Sequence, residues 1–221
     1  MKPYSLHLNA VVFDFDGTLA FLNVDFKQMR RDIIELAASY GIPEDGLEGL
    51  FVLELIENVR QRIGRIGRGQ KDDFSRRALR LVSNRELAGA TISCLFPGVK
   101  EMLMELRRRG IKTGVLTRNC VEAITQVFPD VRRYCDAVVT RDDTLRVKPD
   151  PEHMRLVLRQ LNEDPHLCAM VGDHPMDVSV GKQVGAFAIG VLTGYSSFEE
   201  LSNAGADMIL QQVAEITKYI A

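Results

Sequence analysis

The sequence predicts an α/β protein: a doubly wound, mainly parallel, Rossmann-like sheet core with an inserted all-helical subdomain. Three observations carry this. Short apolar runs alternate with helix-period segments along residues 1–20 and 94–221, the order that a parallel sheet with crossover helices requires. The sharpest apolar runs stop at glycine and acidic residues, at Asp14-Phe15-Asp16-Gly17 and at Gly172-Asp173. The stretch 21–93 breaks the rhythm, holding helical patterns and no convincing strand.

The first predicted strand is Ala10 to Asp16. Within the insertion, Met29, Ile33, Ile34 and Ala37 share one face of a helix that Gly41 ends. Leu50, Leu53, Leu55 and Ile56, then Leu79 and Leu81, suggest two or three more. Arg60 to Lys71 carries five basic residues, no acid and three glycines, which predicts a loop or a frayed helix. After Pro97-Gly98, the positions Val99, Met102, Leu103 and Leu106 predict a helix from Val99 to Arg109, stopped by Gly110. A strand at Ile111 to Thr117, a helix at Val121 to Phe128, a strand at Ala137 to Thr140 and a helix after Pro149-Asp150-Pro151 follow. The series closes with a strand at Leu167 to Val171, a helix at Pro175 to Val184, a strand at Ala186 to Val191, a helix at Phe198 to Ala204, a strand at Met208 to Leu210 and a C-terminal helix.

Composition bounds the function. With 221 residues, 46% hydrophobic and 26% charged, the chain has the profile of a folded globular protein. A net charge of −2 provides no basic field to hold nucleic acid or an anionic membrane, so the expected partner is a small molecule. The longest mainly apolar stretch, Ala186 to Leu192, is far short of the ~20 residues that span a bilayer. The N-terminal run Ala10-Val11-Val12-Phe13 leads straight into acids, which does not fit a signal peptide, and a cytoplasmic chain is expected. Cys94, Cys120, Cys135 and Cys168 form no C-x-x-C pair and read as core thiols. His7, His153 and His166 stand in no pattern that marks a site.

Asp14 and Asp16 lie two apart at the end of an apolar run, where an extended chain points both side chains the same way before Gly17 frees the backbone to turn. Two carboxylates that close raise one pKa or demand a cation, so the pair reads as a metal site, an acid/base pair, or both. An Asp-Gly turn with a second exposed Asp is the plain alternative. Thr117-Arg118-Asn119 follows a strand and offers a hydroxyl and turn N–H groups to an oxyanion, or simply a helix cap. Pro149 keeps Lys148 out of helical conformation and so sets the direction in which its side chain leaves. Gly172-Asp173-His174-Pro175-Met176-Asp177 places two acids a helical turn apart, able to share a cation, while Asp173 could equally cap the next helix; His174 reads as a loop residue. All four lie at strand ends or helix starts, where open α/β sheets bind ligands.

In order, Asp14-Phe15-Asp16-Gly17-Thr18-Leu19, Thr117, Lys148-Pro149 and Gly172-Asp173-x-x-x-Asp177 resemble the four motifs of the haloacid dehalogenase-like hydrolases. The insertion between the first two motifs resembles the helical cap of the phosphoglycolate phosphatase-like branch, which divides the chain into a core of 1–20 with 94–221 and a cap of 21–93. Dehalogenases of the family lack the second aspartate, so Asp16 points to a phosphatase or phosphotransferase.

The resemblance implies attack by Asp14 on phosphorus to give an aspartyl-phosphate, with Asp16 as general acid and then base. It implies Mg²⁺ held by Asp14, the Asp16 carbonyl and Asp173, with Lys148, Thr117 and the Arg118 N–H on the phosphate and Asp177 orienting Lys148 or a metal-bound water. The substrate is then a small phosphorylated metabolite, with cap residues of Arg60 to Lys71 available for a second anionic group. After Leu19 the chain reads Ala20-Phe21-Leu22-Asn23, where phosphoglycolate phosphatases show an acid and a serine, so the identity of the metabolite stays open, as does monomer against homodimer. A sugar-phosphate mutase shares the first steps. A receiver-like signalling module shares the acids, Thr and Lys, but is only ~120 residues long and lacks the insert.

Overall fold

The computed structural model describes residues 5–21, 23–66 and 69–221. The chain forms two compact units, one of Met1–Leu22 with Ser93–Ala221 and the other of Asn23–Ile92.

The first unit contains strands β1 (Ala10–Phe13), β2 (Ala20–Phe21), β3 (Cys94–Leu95), β4 (Lys112–Leu116), β5 (Ala137–Val139), β6 (Cys168–Gly172), β7 (Phe187–Val191) and β8 (Met208–Leu210). Among the described residues a parallel sheet of six runs in the order β5-β4-β1-β6-β7-β8, and β2 pairs antiparallel with β3. β1 sits between β4 and β6, so its Ala-Val-Val-Phe run is buried on both faces and carries no polar alternation. Val11 and Phe13 pack on one side with Met102, Leu103 and Leu106, while Ala10 and Val12 pack on the other with Val157, Leu161 and Val180. Residues two apart thus share a helical layer, and adjacent residues of the strand serve opposite ones.

Helices 4 to 9 of the chain belong to this unit. Taken in order after the three of the insertion described below, they are α4 (Val99–Arg108), α5 (Val121–Val127), α6 (Val131–Tyr134), α7 (Pro151–Leu161), α8 (Pro175–Val184) and α9 (Phe198–Asn203). The C-terminal segment departs from expectation. Val213–Lys218 is a 3₁₀ stretch, not an α-helix. Its buried Val213 and Ile216 are three apart, and a period of three keeps both on the core side. β1 is also shorter than predicted, ending at Phe13. The Phe15 carbonyl accepts from the N–H groups of Leu19 and Ala20, and Gly17 at φ +78° turns the chain.

The second unit holds α1 (Phe26–Ser39), α2 (Val52–Ile66) and α3 (Lys71–Ala90). Asp25 caps α1 by accepting from the Gln28 N–H at 2.8 Å. Of the two expectations for the basic segment, a loop or a frayed helix, the helix holds from Arg60 to Ile66; residues 67–68 lie outside the described set. Leu55, Ile56, Val59 and Ile63 give α2 a buried stripe, which outweighs the ~1 kcal/mol that Gly64 costs a helix. The helix that Leu79 and Leu81 suggest is α3, whose buried face is Phe74, Ala78, Val82, Glu86, Gly89 and Ala90; Leu79 itself is exposed and Leu81 half-buried.

Among the described residues no helix is long and apolar enough to cross a membrane. Cys120, Cys135 and Cys168 are buried free thiols. Cys94, in β3 of the two-stranded β2–β3 pair, is exposed and is not the core thiol expected.

Candidate active site

Parallel strands bring their C-terminal ends to one edge of the sheet, and the residues singled out in the sequence gather there. Asp14 follows β1, its main chain held by donation to the Val171 carbonyl at 2.8 Å. Lys148 reaches in from the loop before α7. Its Nζ lies 2.7 Å from Asp14 Oδ1 and 2.6 Å from Asp177 Oδ1, and all three residues are buried. Asp177, in the first turn of α8, accepts from the His174 N–H at 3.2 Å on its other oxygen. A Cβ at Gly172 would stand 2.2 Å from the Asp177 carboxylate, so only glycine lets α8 approach β6 this closely.

Asp173, next after β6, accepts from the Tyr195 N–H at 3.0 Å. It lies in a cleft between two glycines: a Cβ at Gly17 would be 2.5 Å from Asp173 Oδ2, and one at Gly194 would be 1.8 Å away. The Thr193 hydroxyl donates to the Gly17 carbonyl at 2.6 Å, tying the loop after β7 to the turn after β1.

Asp16 faces different partners. The Asn119 side-chain amide lies 3.3 Å from both of its carboxylate oxygens, and Thr117 Oγ1 lies 3.5 Å from one of them. Thr117 Oγ1 in turn accepts from the Asn119 N–H at 3.0 Å. Arg118 turns its guanidinium to the Met176 sulfur at 2.9 Å, and its carbonyl accepts from Arg141. The cap of α8 is His174, whose Nδ1 accepts from the Met176 N–H, with Asp177 closing the box; Asp173 is not the cap.

The electrostatics of the cluster are one-sided. One oxygen from each of Asp14, Asp173 and Asp177 lies within 4.8 Å of the others. Burial, partly offset by Lys148 and reinforced by Asp177, pushes Asp14 up to about 6. Burial and the Asp14 charge push Asp173 up to about 6, and burial raises Asp177 as well. Lys148 is pulled down by burial but held above the usual lysine value by Asp14 and Asp177, so it stays an ammonium. Among the described residues, three carboxylates thus crowd the Lys148 ammonium in a buried spot. That surplus of negative oxygen, open toward Asp14 and Asp173 while both Asp177 oxygens are engaged, fits a hard divalent ion such as Mg²⁺.

Residues 8–185 match the haloacid dehalogenase-like hydrolase family. The chain belongs to the haloacid dehalogenase-like hydrolases. It is 28% identical over 219 residues to an N-acetylmuramic acid 6-phosphate phosphatase of Pseudomonas putida, covering 97% of each chain. It is 26% identical to a phosphoglycolate phosphatase of Nitrosospira multiformis, over 98% of this chain and 97% of that one. Among solved structures, CbbY of Rhodobacter sphaeroides in complex with phosphate superposes with a TM-score of 0.62 at 25% identity, over 95% of this chain and 96% of that one.

Two contacts of the site carry no signal in the sequence pattern. Asn119, expected to offer a turn N–H to an oxyanion or to cap a helix, holds Asp16 with its side-chain amide. The Thr193-Gly194-Tyr195 loop follows the end of β7, the same kind of position as the other motifs, and its Tyr195 N–H holds Asp173. In the helical unit, Arg60, Gln61, Gly64, Arg65 and Lys71 border an open hollow of about 300 Å³.

Proposed function

We propose that the chain hydrolyses the phosphate monoester of a small metabolite through an aspartyl-phosphate on Asp14. The observation that carries the reading is the Lys148 ammonium, buried within 2.7 Å of Asp14 and 2.6 Å of Asp177 beside a third carboxylate. An anionic nucleophile attacks an anionic ester only where cations offset the repulsion, and this cluster has the residues to collect them. Asp14 Oδ attacks phosphorus, and Asp16 protonates the departing oxygen and then takes a proton from the water that cleaves the acyl-phosphate. Asn119 and Thr117 orient Asp16 for that exchange. Thr117 and the Arg118 N–H receive the non-bridging oxygens, with Lys148 as counter-charge. Asp177 aims Lys148. Asp14, the Asp16 carbonyl and Asp173 would hold Mg²⁺. When bound, the ion supplies positive charge to the attacking carboxylate and the phosphoryl oxygens.

The helical unit Asn23–Ile92 serves in this reading as the family's substrate-selecting cap, with Arg60, Arg65 and Lys71 available to a second anionic group of the substrate. The test is phosphate release from a panel of phosphorylated metabolites with and without Mg²⁺. Asp14→Asn is expected to lower turnover by about four orders of magnitude or more, as loss of a nucleophile does. Equal turnover by the variant would refute the assignment. An isomerised ester without free phosphate would mark a mutase.

A further inference from the structure

We propose that His153 is a positioning residue for Lys148: its imidazole Nδ1 accepts the Lys148 main-chain N–H at 3.0 Å and so fixes the backbone from which the ammonium reaches Asp14 and Asp177. The proposal rests on the reading of Lys148 as the counter-charge to the reacting phosphate.

A lysine is a point charge on a flexible four-carbon stem, so its aim depends on how firmly its root is held. The root here lies in a loop that closes on itself. The Asp150 N–H donates to the Val147 carbonyl at 3.0 Å, the His153 N–H donates to the Asp150 carbonyl at 3.1 Å, and the Asp150 carboxylate caps α7 through the Glu152 N–H at 2.9 Å. Pro149 offers no N–H. The Lys148 N–H finds its acceptor in a side chain five residues on. Both residues are buried, Lys148 at 3% exposure and His153 at 0%.

An aliphatic side chain would fill the same space more favourably. The imidazole faces the Thr140 carbonyl, but Nε2 is buried without closing a hydrogen bond of good geometry. A fold that retains such a group needs a reason, and the Nδ1 lone pair supplies it. That lone pair exists only on the unprotonated ring. Burial, and then the Lys148 charge, push His153 down to about 3, so the acceptor persists through the pH range in which an enzyme works.

His153→Leu keeps the bulk and removes the acceptor, whereas His153→Asn returns an oxygen at the position of Nδ1. In the full-length chain with Mg²⁺, the Leu variant is expected to lose at least about tenfold in kcat with KM within twofold, and the Asn variant to recover to within about threefold of wild type. Hydrogen exchange at the Lys148 amide should accelerate in the Leu variant only. A Leu variant with wild-type kcat, or equal losses in both variants, would overturn the proposal. Should the Leu variant not fold, the wild-type imidazole ¹⁵N spectrum decides: Nδ1 unprotonated with Nε2–H supports the bond, and Nδ1–H overturns it. If the wild-type chain releases no phosphate from any ester, the phosphatase reading fails on its own, while amide exchange and the tautomer still settle whether His153 holds Lys148.

Discussion

The two units treat charge in opposite ways. In the helical unit two ion pairs follow the helix period along the surface, Glu57 with Arg60 at 2.7 Å and Asp73 with Arg76 at 2.9 Å, and a third, Arg85 with Asp32 at 2.7 Å, joins two helices. In the α/β unit the ends of strands separated widely in sequence push three carboxylates and one ammonium together out of water. The first arrangement is a by-product of helix geometry and is worth little. The second opposes folding, since buried like charges repel and lose hydration. Such a cluster persists where chemistry requires it. The contrast makes a graded set of expectations, steep at the strand ends and flat on the helices.

The steepest concerns Gly194. A methyl group there would overlap Asp173 Oδ2, at 1.8 Å, so the loop or the carboxylate must move. Displacement by about 1 Å at a catalytic centre lowers rates by about a hundredfold, and Gly194→Ala should lose at least that much Mg²⁺-dependent phosphate release while its thermal midpoint changes modestly. Wild-type activity in this variant would mean that Asp173 does not need its observed position.

The next is a pH dependence. Asp14 and Asp173 ionise near 6 in the folded chain and at 3.8 when unperturbed, so the folded state holds protons that the unfolded state has released. Their contribution to stability is therefore full below 3.8 and is lost as pH rises through 6. In chelator, Asp173→Asn should gain on the order of 1–3 kcal/mol over wild type at pH 7.5, and the gain should shrink toward pH 4.5. Glu105, drawn down to about 2 by Arg108 and Arg109, runs the other way, but equally in both proteins, so it cancels in the difference. Added Mg²⁺ should reverse the order by stabilising wild type alone. Denaturation curves at the two pH values measure this, and an absent gain at pH 7.5 would remove the electrostatic case for a cation site.

The same contrast explains what could be read in the sequence. Apolar runs and periodicity specify which face of an element is buried and where it ends, and Asp14, Thr117, Lys148 and Asp173 were visible because they stand at such ends. Which side chain meets which is another matter. Asn119 holds Asp16 across 103 positions, and Thr193 reaches Gly17 across 176. No local pattern encodes those partners; they follow from strand order in the finished sheet. His153 is the same case at short range, for in sequence it is one more residue of an amphipathic helix. In the helical unit two local readings compete, loop and frayed helix. Glycines suggested a break in α2, and the buried stripe of Leu55, Val59 and Ile63 overrode them. Local propensity yields to packing where the apolar face is continuous.

The flattest expectation lies on that same helix. Glu57 accepts from Arg60 Nε at 2.7 Å and Nη2 at 2.8 Å, and from the Gln61 amide at 2.8 Å, and these bonds hold its carboxyl below the ordinary range. Glu57 is still half exposed, so water and salt screen the pair and the side-chain entropy of holding it offsets much of the attraction. Glu57→Gln retains an acceptor and loses only the charge. It should cost no more than about 0.5 kcal/mol in low salt and less in 0.5 M NaCl. A loss above about 1.5 kcal/mol, or one insensitive to salt, would place a charge of the helical unit in the same class as Lys148 and erase the distinction between the two regions.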